Sequence, residues 1–313
     1  MSRVVIVILG ALVSAAAAAG LAGQTQAPLI VAYMTSDGEL VPIARYDGTV
    51  WRNTWPEPIP NGAPLPVRTV SEIPRGWLGQ RVPSTWTAWS QATGKQQRVT
   101  VTGVDRDGAC VEAITLATSF KPDPPSDGLA FNRPTRVDAI VALERSSREW
   151  DLLRREVASH FRTAITKTVL PQPGSEQGEI GAKVLALARA DKLTDDTVVV
   201  EAVFRDARFP VFFIEAQRQF GEIPADTDHD ALSYSGWFRR DRAGALIPIS
   251  ASVAGFSTAE GKLPRYTPIG ILRLGAGSIW AMSEWGKESE TIVLFDISAK
   301  GVRKLTSADI SGG

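Results

Sequence analysis

This chain has few of the groups that most catalytic centres and most small exported folds rely on. It holds one cysteine and two histidines in 313 residues. A lone thiol cannot close an internal disulfide, so packing, a bound ion or a partner must hold the fold. His160 and His229 exclude a His-rich metal centre and leave a Ser-His-Asp triad only two bases. Neither adjoins a nucleophile motif, and Gly255-Phe256-Ser257-Thr258-Ala259 lacks the last glycine of a nucleophile elbow. Cys110 has no activating base or helix end placed near it, so it reads as a buried, inert thiol. Excess charge of one sign is also missing, with 34 basic residues against 34 acidic ones. Clustered Lys and Arg would be needed for nucleic acid or an anionic membrane surface, so neither is expected as a partner. Beyond the N-terminal region no apolar run is long enough to span a bilayer.

What is present begins with an address. Arg3 is followed by the apolar run Val4-Val5-Ile6-Val7-Ile8-Leu9, then by Ala-rich sequence to Ala22. A basic start, an apolar middle and small residues at the end make a secretory signal, assigned to residues 1–23. Ala17-Ala18-Ala19 and Gly20-Leu21-Ala22 both present small residues at peptidase spacing. The expected location is secreted or periplasmic, with no stable membrane insertion after cleavage. Cys110 lies far from the signal, so no thiol is available there for acylation.

From Leu29 onward short apolar runs alternate with turn residues. Leu29–Met34 and Leu40–Tyr46 read as strands, separated by Ser36-Asp37-Gly38-Glu39, and Asp47-Gly48 leads into Thr49-Val50-Trp51. Asp-Gly between β-rich runs is a hairpin signal, and Asp107-Gly108 repeats it. Residues 28–118 form a Trp-rich β module. Pro122, Pro124, Pro125 and Pro134 make 119–135 a linker. Residues 136–313 then form a helix plus a C-terminal β-rich domain. The helix is placed at 147–169, where Trp150, Leu153, Val157, Phe161, Ile165 and Val169 recur on one face. Ser146 with Glu149 fits its capping box. Strands resume at Val184–Ala188 and continue, through Val198–Phe204 and Pro210–Ala216, to Thr291–Ile297. The expected class is mainly β, with short antiparallel strands in a propeller-like or sandwich arrangement and one long amphipathic helix. The alternative is α+β.

Phe212-Phe213-Ile214-Glu215-Ala216, Ser235-Gly236-Trp237-Phe238, Pro268-Ile269-Gly270 and Ile279-Trp280 resemble segments of secreted bacterial β-rich proteins. The resemblance covers the second half and implies export and a β-rich fold, but no activity. Asp226-Thr227-Asp228-His229-Asp230 places oxygen ligands at alternate positions, which suits calcium. Asp226, Asp228 and Asp230 are therefore the candidate metal ligands. The segment resembles the acidic loops of FG-GAP propeller repeats, although the further acid expected near Tyr234 is missing. An EF-hand loop would need Gly at Ala231 and Glu at Trp237.

Five of the nine tryptophans fall between Trp51 and Trp89. Exposed indoles stack on sugar rings and fill interfaces, so Trp51, Trp55, Trp86 and Trp89 are candidate binding residues for a glycan or protein. The competing reading makes them the core of the β module. Glu201 and Glu215, in predicted strands, are the candidate carboxylate pair for glycoside hydrolysis. The function expected is a non-catalytic binding or interaction module, with no cofactor or with Ca2+. The alternative is a glycan-acting hydrolase.

Overall fold

Apolar side chains at every second position, on both faces of the same strands, give the first third of the chain two cores to fill. The computed structural model describes residues 27–53, 69–105, 114–168, 176–190, 197–219, 230–257, 265–275, 277–285, 289–298 and 301–312. The first strands are β1 (Leu29–Met34), β2 (Leu40–Tyr46), β3 (Trp51–Arg52), β4 (Thr85–Ser90), β5 (Gln96–Asp105), β6 (Thr115–Thr118) and β7 (Gly128–Phe131). Pairing runs β1-β7-β4-β5-β6-β2 and returns to β1, closing a six-stranded antiparallel barrel. Strand β3 extends β2 through the Asp47 hairpin, where Asp47 Oδ1 accepts the Thr49 and Val50 N–H groups.

Ile30, Ala32, Met34, Leu40, Trp86, Ala88, Val99, Leu116 and Ala130 fill the barrel. The interior of so small a barrel is a packed core rather than a pocket. Ile73 and Leu78 join that core from a strap, residues 69–82, which includes a 3-10 turn (Val70–Glu72) and α1 (Arg75–Leu78). Arg45 Nη1 donates to Gly76 O at 2.7 Å and ties the strap to β2.

The stretch 119–135 is not a linker. It carries β7, whose four residues are buried between β1 and β4. Pro122, Pro124 and Pro125 sit in the approach to the strand, and Pro134 follows it. The adjoining Arg136–Leu143 run, which reads as a single strand in sequence, divides instead into β8 (Arg136–Asp138) and β9 (Ile140–Ala142), which join different sheets.

The next described elements are α2 (Arg148–Lys167), α3 (Glu176–Ala190), β10 (Val199–Asp206), β11 (Val211–Gln219), β12 (Asp230–Arg240) and β13 (Leu246–Ser257). After them come β14 (Arg265–Leu274), β15 (Gly277–Trp285), β16 (Ser289–Ser298) and β17 (Gly301–Gly312). They build two antiparallel sheets, ordered β13-β12-β11-β10-β9 and β17-β16-β15-β14-β8. The protein is mainly β with antiparallel sheets. The described strands form a barrel and two stacked sheets instead of propeller blades. Gly48-Thr49-Val50-Trp51 and Gly277-Ser278-Ile279-Trp280 share a residue pattern but not a setting: Trp51 lies on a two-residue strand and Trp280 lies deep between sheets.

Both faces of the β14–β17 sheet are covered. Ile269, Leu272, Ile279, Ala281, Ile292 and Leu294 pack on the outer face of the barrel, against Leu29, Val31, Ile43 and Phe131. Ile271, Trp280, Met282 and Ile297 pack on Phe213 and Trp237 of the other sheet. The Trp237 and Trp280 rings meet edge to face at 4.8 Å. That second sheet turns its remaining face, with Val203, Phe212, Ile214, Leu232 and Phe238, to α2 and α3.

Helix α2 starts one residue later than the capping box predicts. Ser147, not Ser146, is the cap, its Oγ accepting Trp150 N–H at 3.2 Å, while Glu149 pairs with Arg205 at 3.1 Å. The predicted face is buried from Trp150 through Ile165. Helix α3 corrects the expectation of a single helix. Val184 and Ala188, read as alternating strand residues, are also four apart, and with Leu185 they lie on the helical face that packs on the sheet. A close approach permits this: a Cβ on Gly255 would meet Gly181 Cα at 2.9 Å.

Charge locks the edge where the two sheets meet. Arg273 of β14 donates from Nε to Asp138 Oδ2 at 2.7 Å and from Nη2 to Asp206 Oδ1 at 2.6 Å. The Asp206 side chain is 1% exposed and the Arg273 side chain 9%. Removing one partner of such a pair strands the other charge in a low dielectric. Arg273→Ala is expected to cost about 3–5 kcal/mol, read as a lower urea midpoint. The double variant Arg273→Met, Asp206→Asn is expected to recover part of that loss, because its carboxamide removes the stranded charge and still accepts the Arg208 N–H.

Candidate functional site

A cavity of about 760 Å³ lies between the strap and β5. The strap positions it because Ile73 and Leu78 anchor in the barrel core and hold the intervening residues over the barrel. Gly79, at φ 72°, ends α1 in the left-handed conformation and turns the chain toward Arg81. The lining mixes Thr69, Ser71 and Thr102 with Val70, Ile73, Val82 and Val104, and adds Arg75 and Arg81. Glu72, on the same 3-10 turn, is not part of it. No acidic side chain is among the described lining residues. The lining combines hydroxyl and guanidinium donors with apolar side chains, which suits binding.

The carboxylate pair named from sequence is brought to one neighbourhood. Glu215 lies opposite Ala202, and Glu201 is the residue skipped at the bulge between Val200 and Ala202. Glu201 accepts from Gln217 Nε2 and lies 3.7 Å from Arg145. Glu215 Oε1 accepts the Tyr266 N–H at 3.0 Å, which fastens one sheet to the other, and Tyr266 OH donates to Glu284 Oε1 at 2.8 Å. Burial pushes the Glu215 carboxyl above the usual range. The Tyr266 N–H and Arg265 draw it back, and the charge on Glu201 adds to the push. Neither glutamate lines the 760 Å³ cavity.

The aromatic platform does not form from Trp86 and Trp89. Trp86 is 1% exposed inside the barrel, its Nε1 donating to Pro83 O at 2.9 Å. Trp89 is equally buried on the outer side, and a Cβ on Gly270 would meet its ring at 3.0 Å. Both rings fill cores because the pleat gives strand β4 two apolar neighbours. Trp51 is partly exposed and stacks on Tyr46 at 5.1 Å. Trp55 lies outside the described residues, as do Asp226, Asp228, His229 and Cys110. Asp230 enters β12, its backbone paired with Ser257. Among the described residues no group of three His, Cys, Asp or Glu side chains could hold a metal ion.

Sequence reasoning missed Arg75 and Arg81. They lie in an irregular segment with no period, and only the fold of the strap brings them beside β5. Comparison with protein-family models, with curated proteins and with solved structures finds no match.

The Glu215 environment has a signed consequence for pH. A carboxyl whose folded pKa is raised contributes stability that is complete below its unfolded value, near 4.3, and is lost as pH rises through the folded value. Glu215→Gln removes the charge and keeps an acceptor for the Tyr266 N–H. Thermal melts are expected to find the variant more stable than wild type at pH 7, with the difference closing toward pH 4.

Proposed function

We propose that this chain is an exported, non-catalytic binding module whose ligand occupies the cavity between the strap and β5. The cavity carries the reading. Its volume lies within the range of small-molecule sites, and its lining mixes polar donors with apolar side chains. The filled barrel supports it too, since a ligand finds no room inside. The N-terminal signal anatomy supports export. If that holds, N-terminal sequencing of protein recovered from the periplasm or medium gives a start between Gly20 and Gln24; recovery of Met1 at full length from those fractions overturns it.

The second reading is a glycan-acting hydrolase, favoured by the proximity of Glu201 and Glu215 in unlike environments. Two neighbouring carboxyls in unlike surroundings are the usual starting point for acid and base roles. A panel of oligosaccharides incubated with the protein separates the two readings. The binding module is expected to gain thermal stability with a ligand and release no reducing sugar. Release of reducing sugar that is lost in both Glu201→Gln and Glu215→Gln would establish the hydrolase instead.

A further inference from the structure

We infer that the cavity beside β5 takes a hydroxylated organic anion, a uronic-acid-bearing glycan fragment, whose carboxylate is held by Arg75 and Arg81. The inference rests on the reading of this cavity as the ligand site. Eight described arginines meet a carboxylate, while others, such as Arg98 and Arg133, bond only to neutral groups. Arg75 and Arg81 meet no carboxylate among the described residues, and both enter the same concavity. Guanidinium donors form a rigid fork that matches a carboxylate. A pocket cation pair selects a small anion, whereas a polyanion needs an extended stripe.

The remaining lining describes the rest of the ligand. Thr69 Oγ1 and Ser71 Oγ lie 2.9 Å apart, and Thr102 adds a third hydroxyl from β5. These can donate to and accept from sugar hydroxyls. Val70, Ile73, Val82 and Val104 offer C–H surface to a ring face. At about 760 Å³ the space far exceeds an inorganic anion and suits an oligosaccharide fragment.

The cavity can be closed without touching the barrel core. Gly103 lines it, and a Cβ there meets nothing within 4 Å. Gly103→Phe therefore fills the space, while Arg75→Gln with Arg81→Gln removes only the charge at two exposed positions. Calorimetric titration with trigalacturonate, neutral maltotriose and inorganic phosphate tests the inference, with circular dichroism confirming that each variant is folded. Trigalacturonate is expected to bind wild type, to weaken as salt rises, and to lose roughly tenfold or more in the arginine variant. Maltotriose and phosphate are expected to bind at least tenfold more weakly. No binding of trigalacturonate, equal binding of maltotriose or phosphate, or an unchanged affinity in the arginine variant overturns the inference. Binding lost in Gly103→Phe but kept in the arginine variant preserves the cavity reading and rejects the anion. Binding kept in Gly103→Phe rejects the cavity itself. Should Gly103→Phe fail to fold, the two exposed arginine substitutions still decide the charge question.

Discussion

The β14–β17 sheet is apolar on both faces, and the rest of the molecule is arranged to cover them. An antiparallel sheet commonly leaves one face to water and alternates accordingly. Here Ile279 and Ala281 serve one core while Trp280 and Met282 serve the other. The barrel takes the first face. The β9–β13 sheet takes the second and then needs a cover of its own, which α2 and α3 provide. Each layer thus exists because the previous one leaves apolar surface behind. At roughly 25 cal/mol per Å² of such surface, leaving one face open would cost more than a domain's net stability.

That arrangement explains which elements were legible in the sequence. Leu29–Met34 and Leu40–Tyr46 coincide with β1 and β2 because their runs are bounded by turn residues. The face of α2 is legible because its period is sustained over five turns. Helix α3 is harder to read: glycine and alanine are interspersed among its apolar residues, and Val184, Ala186 and Ala188 also alternate as a strand would. Strand β17 escaped notice because Arg303, Lys304 and Asp309 punctuate an edge strand, where exposed backbone groups favour charge. The 119–135 segment misled because proline content marks turns without telling whether a strand follows them.

The site was legible only in part. Glu201 and Glu215 could be named from strand position, and neighbouring strands do bring them together. Their differing surroundings depend on Tyr266 and Arg265, which arrive from another sheet. The tryptophans were ambiguous for a simple reason: an indole suits a core and a binding face equally well, and only the pleat decides. Arg75 and Arg81 carried no signal, since the strap acquires its place from Ile73 and Leu78 and not from any regular pattern.

The split at Ala139 has a bearing on synthesis. Every described barrel strand lies between residues 29 and 131, so the barrel can close as soon as that length has emerged. Strand β8 then waits for β14, and Asp138 waits for Arg273, 135 positions further along the chain. Throughout that interval the closed barrel presents Leu29, Val31, Ile43 and Phe131 to its surroundings with nothing yet made to cover them. A nascent chain in this state has a filled barrel and an uncovered apolar outer face until β14–β17 follow.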